Sequence, residues 1–191
     1  MRPTLTAVVF VIVSGLASAR AQTWRIGDDQ PFPTQISKLP EARQRSILKT
    51  LEPSLQKRAI EFQDEPDEIE AIMKSLLIRQ ITTPSGPLLL IQGWGSGSCG
   101  AVGNCAVWVL GTKDQLLLES GGNKIRILPA LHHGLPSILM FGHISAAQSD
   151  LTWYSFDGSR YRHTSCATET YSSSTGKVYN PPLIEHGPCG K

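Results

Sequence analysis

The segment GSGSCG at residues 95–100 carries the pattern G-x-G-x-x-G, which cradles phosphates when a strand precedes it and a helix follows. The apolar run PLLLIQGW before it predicts the strand. A dinucleotide site also needs the third glycine to open a helix whose amides face the pyrophosphate. Here Gly100 is followed by Gly103 and Asn104, which break helices, and then by the strand-like AVWVL. The segment therefore predicts a turn between two strands, not a nucleotide loop.

Cys99 and Cys105 at this turn raise nucleophilic catalysis as a second chemistry. The papain-type motif C-G-[SA]-C-[WY] is absent, and His163 follows too early for the roughly 130–150 residues that this family places between cysteine and histidine. A disulfide instead closes the turn that the glycines already make, and the chain-entropy model gives about 2.4 kcal/mol for so small a ring. Four cysteines allow three pairings, and we expect Cys99–Cys105 with Cys166–Cys189.

Metal binding is a third chemistry, because the chain also contains five histidines: His132, His133, His143, His163 and His186. The paired CxxC spacing that is typical of zinc sites is absent. The side chains of adjacent histidines on a predicted turn diverge. We expect neither zinc nor calcium, and no other cofactor.

Hydrolysis would need an activated serine or a pair of carboxylates. The G-x-S-x-G elbow is absent. Asp114 and Asp157 fall in predicted turns, where aspartate is favoured for local hydrogen bonding. Glu119 and Glu169, together with a histidine, are therefore the acid and base candidates for a hydrolase.

Five aromatic residues lie on or beside predicted strands and are the candidate binding residues: Trp94, Trp108, Trp153, Tyr154 and Tyr161. Most such side chains fill cores. Trp153 and Tyr154 are neighbours on one strand, so their rings point to opposite faces and one of them faces outward. An exposed aromatic strip on a sheet can stack on sugars or anchor a protein partner.

Residues 1–21 predict a secretory signal peptide, with a positive start, the apolar core LTAVVFVIVSGLA and a small-residue exit at residues 19–21. We expect cleavage after Ala21, with Ala19 as the alternative. The apolar core is short for a bilayer span, and no later segment is long and apolar enough for one. We expect a secreted or periplasmic protein that is not stably inserted in a membrane after cleavage.

The charge balance argues against nucleic acid as a partner. The chain has 18 Lys and Arg residues against 16 Asp and Glu residues, and loss of Arg2 and Arg20 with the signal peptide leaves the mature chain neutral. A neutral chain has no bulk attraction to nucleic acid or to an anionic membrane. The roughly 170 remaining residues suffice for one domain with a proper core.

Changes in composition and periodicity divide the chain. Pro53 and Pro66 each predict the start of a new short helix. From residue 74 the apolar period becomes that of strands, about eight of them, too closely spaced for parallel crossovers. The segments are a signal peptide (1–21), an extended leader (22–37), a helical segment (38–73), an antiparallel β domain (74–171) and a polar tail (172–191).

The predicted fold class is α+β, with N-terminal short helices followed by an antiparallel β-meander that disulfides staple. The β segment carries most of the β-branched and aromatic residues. We therefore expect a fragment that starts near Lys74 to fold on its own, with the helices as a cover or as an arm for a partner. Docking of the helices on a sheet face is the alternative.

Two segments share one order of elements: IRQITTPSGPLLLIQG from residue 78 and RILPALHHGLPSILMFG from residue 126. Each runs from a strand through a glycine-centred turn into a longer apolar strand. With the hairpin FDGSRYR, these units resemble FG-GAP (VCBS-type) β-repeats, and exported bacterial proteins with a C-G-x-x-G-N-C loop, over residues 74–166. FG-GAP repeats often bind calcium through aspartate-rich loops. The matching turns TTPSG and LHHGLP contain no carboxylate, so the resemblance does not imply calcium here.

These patterns favour an exported, non-enzymatic binding or interaction module whose partner is a protein or glycan of the cell envelope or exterior. The absence of nucleophile and metal signatures is the basis for this interpretation. The alternative is a small hydrolase that acts on cell-envelope polymers.

Mass spectrometry after non-reducing digestion of the exported protein is expected to find two disulfides and no free thiol, with Cys99–Cys105 as one of them. A Cys99–Cys166 link would contradict the local closure of the turn. A free Cys105 would restore the nucleophile hypothesis.

Overall fold

Two antiparallel sheets and two helices form the fold in the computed structural model, which describes residues 22–25, 34–62, 66–95, 98–173 and 177–189. The α+β class predicted from the sequence is confirmed. The expected signal peptide, residues 1–21, lies outside the described residues.

The helices are α1 (Glu41–Phe62) and α2 (Pro66–Ser75). The strands are β1 (Gln22–Arg25), β2 (Thr34–Gln35), β3 (Leu77–Thr83), β4 (Gly86–Gln92), β5 (Cys105–Leu110), β6 (Leu116–Gly122), β7 (Lys124–His132), β8 (Leu135–Ser145), β9 (Gln148–Phe156), β10 (Tyr161–Ser172) and β11 (Val178–Gly187). The larger sheet has the order β1-β7-β8-β9-β10-β11, and the smaller sheet has the order β2-β3-β4-β5-β6.

The predicted number of about eight strands is too low. The additional strands β1 and β2 lie in the expected leader, and β11 lies in the expected polar tail. Each pairs at the edge of a sheet: β1 with β7, β2 with β3 and β11 with β10. These segments lack the alternating apolar pattern from which a strand is predicted. Their extended conformation depends more on hydrogen bonds with the neighbouring strand than on burial of one face.

The prediction that Pro53 ends one helix and opens another is wrong, because α1 continues through it. A proline inside a helix removes one backbone hydrogen bond and costs about 3 kcal/mol. The buried side chains of Ile47, Leu51 and Leu55 lie on one face of α1, on both sides of the proline. Their burial, at about 1.5–3 kcal/mol for each side chain, outweighs the cost of the proline.

The core between the two sheets is formed by side chains from one face of each central strand. Leu88 and Leu90 of β4 meet Ile138 and Met140 of β8 in this cluster. Side chains alternate along a strand, so Leu89 and the other intervening residues of β4 and β5 point to the opposite side of the smaller sheet.

The helices cover that opposite side. Trp108 of β5 is fully buried there, together with Ile91 of β4 and Leu51 of α1. All six residues of β5 are buried for this reason. A fragment that starts near Lys74 would uncover this face, so the structure favours the alternative in which the helices dock on the sheet.

Two turns use backbone conformations that favour glycine. Gly86 has φ +112° between β3 and β4, and Gly134 has φ +80° between β7 and β8. Both lie in the turns that the sequence predicts. Among the described residues, no helix is long and apolar enough to cross a membrane.

The contact of α1 with the smaller sheet can be tested at Leu51, which is fully buried. Leu51→Ala is expected to lower the free energy of unfolding by about 2–5 kcal/mol, because it leaves a cavity between the helix and Trp108. Urea denaturation measures the loss.

Glu52→Ala is the matched control, because Glu52 is the next residue of α1 and its side chain is exposed. Its effect is expected to stay within about 0.5 kcal/mol. Equal stability of the two variants would show that α1 is not part of the core.

Candidate functional site

A groove of about 650 Å³ lies where the edge of the smaller sheet meets the larger sheet. We call it the seam groove. One wall is residues 116–119 of β6, the last described strand of the smaller sheet. The other wall is Tyr154 of β9 with residues 160–163, at the β9–β10 turn and the start of β10. Its volume falls in the range of about 300–1,000 Å³ that is typical of ligand sites.

Hydrogen bonds join the two walls of the seam groove through Tyr154. Its hydroxyl lies 2.9 Å from Ser120 Oγ of β6 and 3.0 Å from His163 Nε2 of β10. Tyr154 and His163 are direct partners in the β9–β10 register, and their rings meet edge to face at 4.7 Å. The position of the His163 ring at the groove is therefore fixed by its neighbour.

The Tyr154 phenol stays protonated at neutral pH. Burial is the main cause that raises its pKa, and the negative charge of Asp150 raises it further, whereas the hydrogen bond with Ser120 lowers it. The phenol therefore has one proton to donate, to Ser120 or to His163. It is a neutral link between the sheets and not a base.

A basic rim lies beside this link, on the turn between β9 and β10. Asp157 Oδ1 accepts the backbone N–H groups of Ser159 at 2.8 Å and Arg160 at 2.9 Å. Asp157 Oδ2 accepts Arg162 Nε at 2.8 Å. Hydrogen bonds hold the pKa of Asp157 well below its usual range, and the largest effect is that of Arg162, followed by the backbone and side-chain groups of the turn. The turn thereby fixes where Arg160 and Arg162 enter the groove.

Arg160 differs from Arg162 in whether its guanidinium pairs with a carboxylate. In the part of the chain that the structure describes, no carboxylate pairs with the Arg160 guanidinium, while Arg162 pairs with Asp157. Arg160 is exposed and lines the seam groove. An anionic group in the groove would find an uncompensated guanidinium at this position.

The two candidate carboxylates of a hydrolase are not brought together. Glu119 Oε2 accepts Ser54 Oγ at 2.7 Å, on the helix side of the smaller sheet. Glu169 lies two residues from Ala167, which packs with Leu151 in a cluster separate from the core between the sheets. Glu169 is therefore on the outer face of the larger sheet. Both sheets separate the two groups.

The five candidate aromatic residues are placed in four different environments. Trp108 is a core residue beneath the helices. Tyr154 and Tyr161 are buried between the sheets at the seam groove, and the Tyr161 hydroxyl donates to the Pro136 carbonyl at 2.9 Å. Burial raises the pKa of Tyr161. Trp153 faces the other side of β9 from Tyr154, as the sequence predicts, and its ring lies 5.9 Å from His186.

Trp94 is about half exposed beside the glycine-rich turn. The five aromatic residues therefore do not form one strip. Two of them border the seam groove, and the others lie elsewhere.

The glycine-rich turn is a disulfide-closed loop, as expected. Cys99 bonds to Cys105, and Cys166 bonds to Cys189, which fastens β11 to β10. Ser98 Oγ donates to the Trp94 carbonyl at 2.8 Å, and strand β5, not a helix, comes directly after the glycines. The loop thus does not have the architecture of a phosphate loop.

Asn104 fastens this loop to the larger sheet. Its side chain donates to the His143 carbonyl at 2.9 Å and accepts the His143 N–H at 2.7 Å. Sequence reasoning missed Asn104, Ser120 and Arg160. The Asp-Gly-Ser turn could have indicated Arg160, because the residue after such a turn is exposed. The contacts of Asn104 and Ser120 cross between sheets and leave no local signal.

The histidines do not gather into one cluster. His132 and His133 are exposed at the β7–β8 turn, and His163 is at the seam groove. Within the described ranges, no three His, Cys, Asp or Glu side chains are close enough to hold a metal ion together.

No protein-family model, curated protein or solved structure matches the chain. The resemblance to FG-GAP repeats therefore stays a prediction.

The turn that holds the basic rim can be tested at Asp157. Asp157→Ala is expected to lower Tm by a few degrees, because the two backbone N–H groups and the Arg162 guanidinium lose their acceptor. Asp157→Asn is expected to lose less, since its amide oxygen still accepts both backbone groups. Scanning calorimetry gives the three Tm values.

At acid pH, the Tm of the Asp157→Ala variant should approach that of the unchanged protein. The pKa of Asp157 is lower in the folded state, so its ionised form stabilises the fold above the unfolded-state pKa, near 3.9. The Tm gap should be constant near neutral pH and shrink as the pH falls below about 4. A gap that widens in acid would contradict this account.

Proposed function

We propose that this protein is an exported, non-enzymatic binding module that takes its ligand in the seam groove. The observation that carries the proposal is the groove itself, a concavity of about 650 Å³ between two sheets, with Arg160 at its rim and no carboxylate partner for that arginine among the described residues. Concavities of this size with a few convergent polar groups are typical of binding sites.

Export is supported by two independent features. The sequence of residues 1–21 has the three parts of a signal peptide. The two disulfides are typical of proteins that fold in an oxidising compartment outside the cytosol. We propose the periplasm or the cell exterior as the location.

Binding without turnover is supported by how the polar groups at the groove are used. A general base needs a free lone pair within reach of a substrate proton, and a nucleophile needs a base beside it. His163 Nε2 contacts the Tyr154 hydroxyl, and among the described residues no carboxylate, serine or cysteine hydrogen-bonds to His163. The Glu119 carboxylate accepts from Ser54 on the far side of β6. Among the described cysteines, none is a free thiol.

The walls indicate what a ligand must offer. The leucines at residues 116–118 give one wall apolar character, and the Tyr161 ring adds aromatic surface to the other. Arg160 favours an anionic group, and the exposed His163 ring adds a polar side chain to the same wall. A protein segment or a glycan of the envelope or exterior meets these requirements.

The test is a titration of isotope-labelled protein followed by NMR. The probes are peptidoglycan fragments, chitotetraose and an acidic octapeptide. At least one probe is expected to cause saturable shifts that cluster on residues 116–119 and 160–163, with no product formed over the same period.

His163→Ala is expected to weaken that binding about tenfold, since it removes the ring held by Tyr154. His132→Ala is the matched control, because His132 is exposed at the β7–β8 turn and does not line the groove. Release of fragments from peptidoglycan that depends on His163 would contradict the proposal and support the hydrolase alternative.

A further inference from the structure

We propose that the seam groove accepts an extended, acidic segment of a partner protein, which pairs with β6 as a sixth strand of the smaller sheet. This inference rests on the proposed function and specifies the occupant of the same site. It follows from the edge of β6, the space beside that edge and the charge at the rim.

The backbone groups of β6 that face the groove can be assigned from its neighbour. Ala106 N–H donates to the Ser98 carbonyl at 2.8 Å, and the Ala106 carbonyl accepts Gly93 N–H at 2.8 Å, so both groups of Ala106 point away from β6. Backbone groups alternate in direction along a strand. Val107 and Val109 therefore point toward β6.

Val107 is opposite Ser120, and Val109 is opposite Leu118. Leu118 and Ser120 thus direct their N–H and carbonyl groups to β5, and the residues between and after them direct theirs away from it. Glu119 and Gly121 are these outward-facing residues. Among the described residues no strand lies beside them on that side, so their backbone groups are donors and acceptors to which a new strand can bond.

A concavity lies beside this edge, on the side where a further strand of the smaller sheet would be added. The larger sheet has six described strands and the smaller sheet has five, with β6 last. A next strand would lie about 4.8 Å beyond β6 and about 10 Å above the larger sheet. The seam groove lies there, between residues 116–119 and the wall that Tyr154 and residues 160–163 form.

The side chain of Glu119 does not block this approach. Its carboxylate accepts Ser54 Oγ of α1, which directs it to the helix side of the sheet. The backbone of residue 119 is therefore left facing the groove.

Charge selects an acidic segment. Arg160 has no carboxylate partner among the described residues, and the Asp157 carboxylate is already used by the turn and by Arg162. An alternating strand places every second side chain on one face, so a carboxylate at one such position can meet the Arg160 guanidinium. A basic segment would be repelled at the same position.

The other long exposed edge is less suited to strand addition. β11 ends the larger sheet, and it contains Pro181 and Pro182. Proline has no N–H to donate to a neighbour. β2 ends the smaller sheet on its other side and is two residues long.

The test uses the octapeptide acetyl-(Thr-Glu)₄-amide and amide hydrogen exchange by NMR on the full mature protein. Bound peptide is expected to slow exchange at Glu119 and Gly121 at least about tenfold. Leu118 and Ser120, already bonded to β5, should be slow in both states. Unchanged exchange at Glu119 and Gly121 with the peptide bound would overturn strand addition.

Backbone methylation of the peptide gives a test that needs no protein variant. One alternating set of peptide N–H groups would bond to β6 and the other would face away. N-methylation of all four threonines or of all four glutamates should therefore abolish binding in one case and leave it in the other. Equal effects of the two modifications would overturn the inference.

Charge reversal tests the role of Arg160. Arg160→Glu is expected to weaken binding of the glutamate peptide about tenfold and to permit binding of acetyl-(Thr-Lys)₄-amide. Lys49→Glu makes the same charge change at an exposed position of α1 and should alter neither. If Arg160→Glu weakens binding of the glutamate peptide but does not bind the lysine peptide, pairing of charges at this position is contradicted.

The panel separates this inference from the proposed function. If chitotetraose or a peptidoglycan fragment shifts the seam groove and the peptide does not, strand addition is wrong and the binding module stands. If no probe shifts residues 116–119 and 160–163, both are wrong.

Discussion

Burial of β5 on both faces is the constraint on which the rest of the structure depends. A strand with six buried residues cannot leave either side to water, so it needs a cover on each. The larger sheet covers one side through Ile138 and Met140, and α1 covers the other through Leu51. The helices are consequently part of the fold, and removal of either cover would expose Val109 or Trp108. The seam groove lies at the edge of this layered arrangement, between β6 and the β9–β10 turn.

The sequence was sufficient for the strands from residue 77 to residue 172, because their apolar runs are separated by turns with strong local signals. The Gly86 turn and the Asp157-Gly158-Ser159 turn are examples, and both occur where expected. The sequence was insufficient for β1, β2 and β11, which owe their conformation to hydrogen bonds from distant neighbours. It also led to a wrong prediction at Pro53, where we expected one helix to end and another to begin. Tertiary packing of α1 overrides the helix-breaking preference of proline there.

Of the candidate site, the sequence indicated only that Tyr154 and Tyr161 lie on strands. An exposed aromatic strip was the reason to consider them for binding, whereas both rings are buried between the sheets and border the groove. Their role in binding stays a prediction. The groove itself was not predictable, because it depends on which strand ends each sheet. Strand order is set by pairings such as β1 with β7, and composition carries little information on it. For the same reason the sequence paired Glu119 and Glu169 as acid and base candidates of one active site, although two sheets lie between them.

The pairing of β1 with β7 sets an order of events during folding. Gln22 has its partner in Ile127, about a hundred residues later. A chain that is made from its N-terminus therefore presents β1 long before β7 is available. At the opposite edge of the same sheet, β11 can pair only after β10 has formed its place beside β9. Both edges of the larger sheet are therefore completed late in folding.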